Sequence, residues 1–153
     1  TGLILDAAQI VDLLTNRLNP SGPVFCHGGQ EFFIPLAGVV EIGNGLEEDC
    51  PEADRAGVDL DVFRTFAQGF LSQTAKTLTD TEADTLAMSC FVLTAELATR
   101  FLADYLDGDL YFNTKYPGHN LVRARCQIAL AKDMLAKMPQ MEAIVRECVR
   151  NFQ

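Results

Sequence analysis

The stretch TDTEADTLAMSCFVLTAELATRFLADYL, running from Thr79 to Leu106, decides the fold. It opens on a capping box: Thr79 can accept from the backbone N–H of Glu82 while the Glu82 carboxylate reaches back to Thr79. Neither proline nor glycine interrupts the run, and Asp107-Gly108-Asp109 stops it. Projected at about 100° per residue from Leu86, the side chains of Cys90, Leu93 and Leu97 lie within roughly 40° of zero. Phe91 and Leu102 fall at roughly 150°, Met88 and Leu106 at roughly 200° and Val92 at roughly 240°, so apolar side chains surround the axis. A helix of this kind is expected at the centre of a bundle.

Three charges sit on that helix one turn apart: Glu96, Arg100 and Asp104. On the same projection Arg100 and Asp104 line up with Leu86 and Leu93, on a face expected to be dry. Burying an unpaired charge costs several kcal/mol or more. Two arrangements answer that cost. Either the three side chains neutralise one another as a ladder, or the end of the stripe opens into a cleft that holds a polar ligand.

Outward from this helix, Leu60, Phe63, Phe66, Ala67, Phe70 and Leu71 form an apolar face at helical spacing beginning after Asp59. On the other side, Asn120 is read as the cap of a helix through Lys137. Pro139 is read as the start of a last helix ending near Asn151. Towards the N-terminus, Ile10, Val11, Leu13, Leu14 and Leu18 place a helix over Ile4 to Leu18, with Asp6 as its cap and Asn19-Pro20-Ser21-Gly22-Pro23 as its end. Phe25 to Ile42 has strand-like residues, but Pro35 breaks a run already short. Gly43-Asn44-Gly45 then turns the chain into an acidic connection, Glu47-Glu48-Asp49. The expected architecture is mainly α, four or five packed helices in all. Residues 1–42 form an irregular N-terminal segment with one helix, and residues 43–153 form a helical domain.

The formal net charge is −9, and basic residues outnumber acidic ones only from Arg123 onward, so a nucleic-acid-binding face is not expected. Leu86 to Leu106 is the most apolar long stretch, yet Glu96, Arg100 and Asp104 interrupt it, which argues against a membrane span. Cys26, Cys50, Cys90, Cys126 and Cys148 are odd in number and far apart, as expected for reduced thiols in a cytoplasmic protein rather than a disulfide scaffold. Cys26-His27 with Cys50 has no close C-x-x-C spacing and is not expected to bind metal. His27-Gly28-Gly29 looks like an oxyanion loop, but no G-x-S-x-G elbow accompanies it. His119-Asn120 reads most simply as the start of a helix.

The segment RFLADYLDGDLYF, Arg100 to Phe112, is followed by KYPGHNLVRARCQ, Lys115 to Gln127. Together these resemble the C-terminal helical lobe of aminoglycoside-phosphotransferase-like small-molecule kinases, above all the N-acetylhexosamine 1-kinases and their relatives labelled mucin-desulfating. Leu60-Asp61-Val62-Phe63, Gly69-Phe70-Leu71, Leu78-Thr79 and Glu82 fit the preceding helices, so the likeness spans Gly43 to Glu142. It implies a parent reaction in which ATP, with Mg, gives its γ-phosphate to a sugar hydroxyl. It also implies that Arg100 and Tyr111 contact the sugar; Glu96 and Asp104, from the charged stripe, are the expected supporting residues. The chemistry is apt: a guanidinium donates several hydrogen bonds to hydroxyl or carbonyl oxygens, and tyrosine offers both a ring and a hydroxyl.

The sequence departs from that family where catalysis resides. Phosphoryl transfer uses a loop aspartate, an asparagine and a metal-binding aspartate. Here His27 is followed by Gly28-Gly29-Gln30, and Ile34-Pro35-Leu36-Ala37-Gly38-Val39-Val40 contains no acid. The nucleotide-binding lobe has no counterpart, and an aromatic of the tail helix would fall around Met138. No catalytic residue, metal ligand or cofactor is therefore expected of this chain alone. Two functions remain: a partial sugar kinase that needs its missing lobe, or a non-catalytic helical binding domain derived from it. The expected partners are a small-molecule sugar and either the missing lobe or a second copy.

Overall fold

The structure is a computed structural model that describes residues 50–153. The expected Ile4–Leu18 helix, the Phe25–Ile42 run, the acidic loop up to Asp49 and the residues Cys26 and His27 lie outside the described residues. Within 50–153 the architecture is helical, with no strand: a short 3-10 turn (Ala53–Arg55), then α1 (Leu60–Thr74), α2 (Asp80–Leu106) and α3 (His119–Phe152).

Local chemistry explains each helix start. Asp59 caps α1 by accepting from the N–H groups of Asp61 and Val62 at 2.9 and 3.1 Å. The capping box of α2 forms as read: the Glu82 N–H donates to Thr79 Oγ1, and Glu82 Oε2 accepts from the Thr79 N–H at 2.8 Å. α3 starts differently from expectation. Its cap is Gly118, in the left-handed region at φ 80°, and Asn120 is spent inside the protein rather than at the helix end.

The two C-terminal helices expected on either side of Pro139 are one. An interior proline removes a hydrogen bond and costs about 3 kcal/mol or more. Beyond it, Met141, Ile144, Val145 and Cys148 continue the buried stripe that Leu130, Met134 and Met138 begin. Each large apolar side chain buried contributes about 1.5–3 kcal/mol, enough to carry the helix through the interruption.

The centre of the bundle also differs from expectation. α3, rather than α2, is the element on which α1, α2 and the 3-10 turn all pack. α2 gives it Leu86, Cys90, Phe91, Ala95, Ala98 and Phe101, while Leu93 and Leu97 stay half-buried and Leu106 is exposed. Among the described residues α2 is the one helix long and apolar enough to cross a membrane by length and composition. α1 contributes Phe63, Ala67 and Leu71 at a four-residue spacing, and Arg64 reaches Glu147 of α3 at 2.7 Å. Cys50, Cys90 and Cys148 are free thiols, and burial pushes Cys90 up to about 12.

Candidate functional site

The site grows from the end of α2. Its last carbonyls are closed by the N–H groups of Asp107, Gly108 and Asp109, which donate to Ala103, Tyr105 and Asp104. Gly108 and Asp109 take positive φ values of 96° and 59°, which reverses the chain within two residues. Asp109 is the only non-glycine residue described with a positive φ, a conformation that acidic and amide side chains tolerate better than most.

The reversal folds the following residues onto the Asp104 carboxylate. Oδ1 accepts from the N–H groups of Leu110 and Tyr111 at 2.9 and 2.7 Å, and Oδ2 accepts from the N–H of Phe112 at 2.9 Å. Three consecutive amides around one anion make a backbone nest with the charge supplied from within the chain. From α3, Asn120 Nδ2 donates to Asp104 Oδ2 and to Asp109 Oδ1, both at 2.8 Å. Asp104 and Asn120 are buried, as is His119, whose Nδ1 accepts from the Lys115 N–H at 3.1 Å. Burial pushes the Asp104 carboxyl up. The hydrogen bonds from Phe112, Tyr111, Leu110 and Asn120 together outweigh that effect and hold it below the ordinary carboxylate range.

The Glu96–Arg100–Asp104 ladder does not form. Asp104 belongs to the nest, whereas Glu96 and Arg100 are exposed and face each other at 3.7 Å across one turn. The face expected to be dry is wet at those two positions, so the pair is an ordinary surface one, worth about 0.3–0.5 kcal/mol. Arg100 turns instead toward the loop. Its guanidinium carbon lies 5.6 Å from the Tyr111 ring centre and 5.4 Å from that of Phe112, and Nη2 is 3.5 Å from the Tyr111 hydroxyl. Phe112 in turn packs on Phe101 at 4.7 Å, anchoring the rings to the core.

The two residues singled out for sugar contact thus stand together on the surface. Tyr111 is 75% exposed, and its chain neighbour Leu110 is exposed too. Met138 is not part of this face: it is buried in the core, roughly 27 Å along α3 from Asn120 at 1.5 Å per residue. Sequence reading missed Phe112, which stacks with Arg100, and Asn120, which ties the loop to α3. It also missed the role of Asp104. Among the described residues no group of three acidic, histidine or cysteine side chains converges. No family model matches the chain.

Proposed function

We propose that this chain is the sugar-facing helical part of a sugar-kinase-like phosphotransferase, and that Arg100 and Tyr111 receive an N-acetylhexosamine or a related sugar. The observation that carries the reading is the placement of an exposed tyrosine beside an exposed arginine by a buried Asp104–Asn120 pair. The Arg100 guanidinium keeps donors for sugar hydroxyl or carbonyl oxygens. The Tyr111 ring offers a flat apolar surface to the C–H face of a pyranose, and its hydroxyl can donate or accept. The phosphate-transferring groups of the parent reaction, with ATP and Mg, belong to a complete family member and not to Thr1–Gln153.

The exposed Leu110, next to Tyr111 in the chain, favours a second reading, a non-catalytic binding domain that holds a partner there. Ligand-observed NMR with N-acetylglucosamine and N-acetylgalactosamine separates the two. Saturation transfer to either sugar, lost in Arg100→Met and Tyr111→Phe, supports the sugar-facing reading. A charged hydrogen bond is worth about 1.5–3 kcal/mol, so millimolar contact becomes undetectable without it. Absence of contact with the wild-type chain refutes that reading. Turnover of ATP by the pure chain with these sugars would show that the catalytic groups had been misassigned.

A further inference from the structure

Asp104 stands in the last turn of α2, where the helix carbonyl ends make a carboxylate unfavourable. The helix does not need its side chain to terminate, because the N–H groups of Asp107, Gly108 and Asp109 already satisfy the final carbonyls. The carboxylate is devoted to the next three residues, Leu110, Tyr111 and Phe112. Two of those three carry the rings that lie against Arg100. Asn120 fixes the carboxylate from the other helix, and its Oδ1 accepts from Arg123 Nη1 at 3.2 Å, the same nitrogen that donates to the Asn113 carbonyl. The loop is therefore held on both sides of Tyr111 and Phe112.

We infer that Asp104 is a positioning residue: through the backbone amides of residues 110–112 it sets the Tyr111 and Phe112 rings against Arg100, and so sets the affinity of that face for a ligand it does not itself touch. The inference rests on the sugar-facing reading only for the identity of the ligand. The positioning can be read without any ligand.

The test is NMR of the full chain, comparing wild type with Asp104→Asn, which keeps the size and removes the charge. In the wild type the two rings against the Arg100 guanidinium are expected to shield its side chain, and the hydrogen-bonded amides of Leu110, Tyr111 and Phe112 are expected to exchange slowly. Asp104→Asn is expected to abolish the Arg100 shielding and speed those three amides at least about tenfold, a loss comparable to one charged hydrogen bond. N-acetylglucosamine affinity falls at least about tenfold for the same reason. Released amides with the Arg100 shielding unchanged would overturn the inference, and so would unchanged sugar affinity in a chain whose loop had opened. Should Asp104→Asn fail to fold, Asn120→Leu serves: it removes one of the two bonds to Oδ2 and must reduce the Arg100 shielding, or the inference fails. A wild-type chain that binds no sugar yet loses the shielding on Asp104→Asn refutes the sugar reading and leaves the positioning standing.

Discussion

Asp133, midway along α3, and Asp104, at the end of α2, both capture the backbone of an irregular segment, with different results. Asp133 Oδ2 accepts the Val58 N–H at 2.6 Å, and Lys137 joins that carboxylate to the Val58 carbonyl with two bonds of 2.7 Å. Gly57 approaches so closely that a Cβ there would lie 2.9 Å from Asp133 Oδ2. Val58, the apolar residue that clamp holds, is buried. The Asp104 clamp captures three amides instead of one, and the side chains it displays turn outward: Leu110 and Tyr111 are exposed, with Arg100 beside them. A segment tied down only for stability hides its apolar residues. On the proposed reading, the Asp104 clamp keeps Tyr111 in water for a ligand to meet.

The largest expected effect comes from removing the larger clamp. Asp104→Ala strands three amides and removes one of the two bonds donated by Asn120 Nδ2, and should lower the melting temperature by roughly 5–10 °C, read by circular dichroism. Asp133→Ala releases one amide and leaves Lys137 half-exposed, so a drop of roughly 3–5 °C is expected. Sugar contact should remain within about twofold of wild type, because nothing at Arg100 or Tyr111 moves. An Asp133→Ala chain that loses sugar contact as fully as Asp104→Ala would erase the distinction between the two clamps.

Acid sharpens the comparison. The Asp104 carboxyl sits below its unfolded value, so its contribution is fully present above about pH 4, where the unfolded group is ionised. It is lost as pH falls through the lowered folded value. The stability gap between wild type and Asp104→Asn should therefore be flat from neutral pH down to about 5 and close below about 4. A gap that closes near neutrality would mean a carboxyl raised rather than lowered. Smallest of all, Arg100→Met and Tyr111→Phe should each leave the melting temperature within about 2 °C, since exposed pairs and exposed cation–π contacts contribute under about 1 kcal/mol.

What could be read in the sequence follows from how local each cause is. The Thr79–Glu82 box and the apolar face of Phe63, Ala67 and Leu71 depend on residues within a few positions, and both formed as expected. Pro139 and Asn120 misled for the same reason. Each obeys a local rule for helix starts, and each is overruled by something distant: the buried stripe of α3 for Pro139, the carboxylates of Asp104 and Asp109 for Asn120. The nest around Asp104 could not be read from residue identities, because its donors are backbone amides that any residue could supply. One signal did exist, an aspartate in the last turn of a helix just ahead of Asp-Gly-Asp, where its charge needs donors from outside the helix. Arg100 and Tyr111 were paired in the sequence reading through the resemblance alone, since nothing in their spacing brings them together; their contact is what the structure adds.

Residue-resolved NMR of the wild-type chain titrated with N-acetylglucosamine tests the central claim most directly. The amides of Leu110, Tyr111 and Phe112 and the Arg100 side chain should shift in a saturable way, while Gly57, Val58 and Asp133 stay still. Shifts confined to the Val58 end, or no saturable shift at either end, would contradict the assignment of the Arg100–Tyr111 face as the place where a sugar is received.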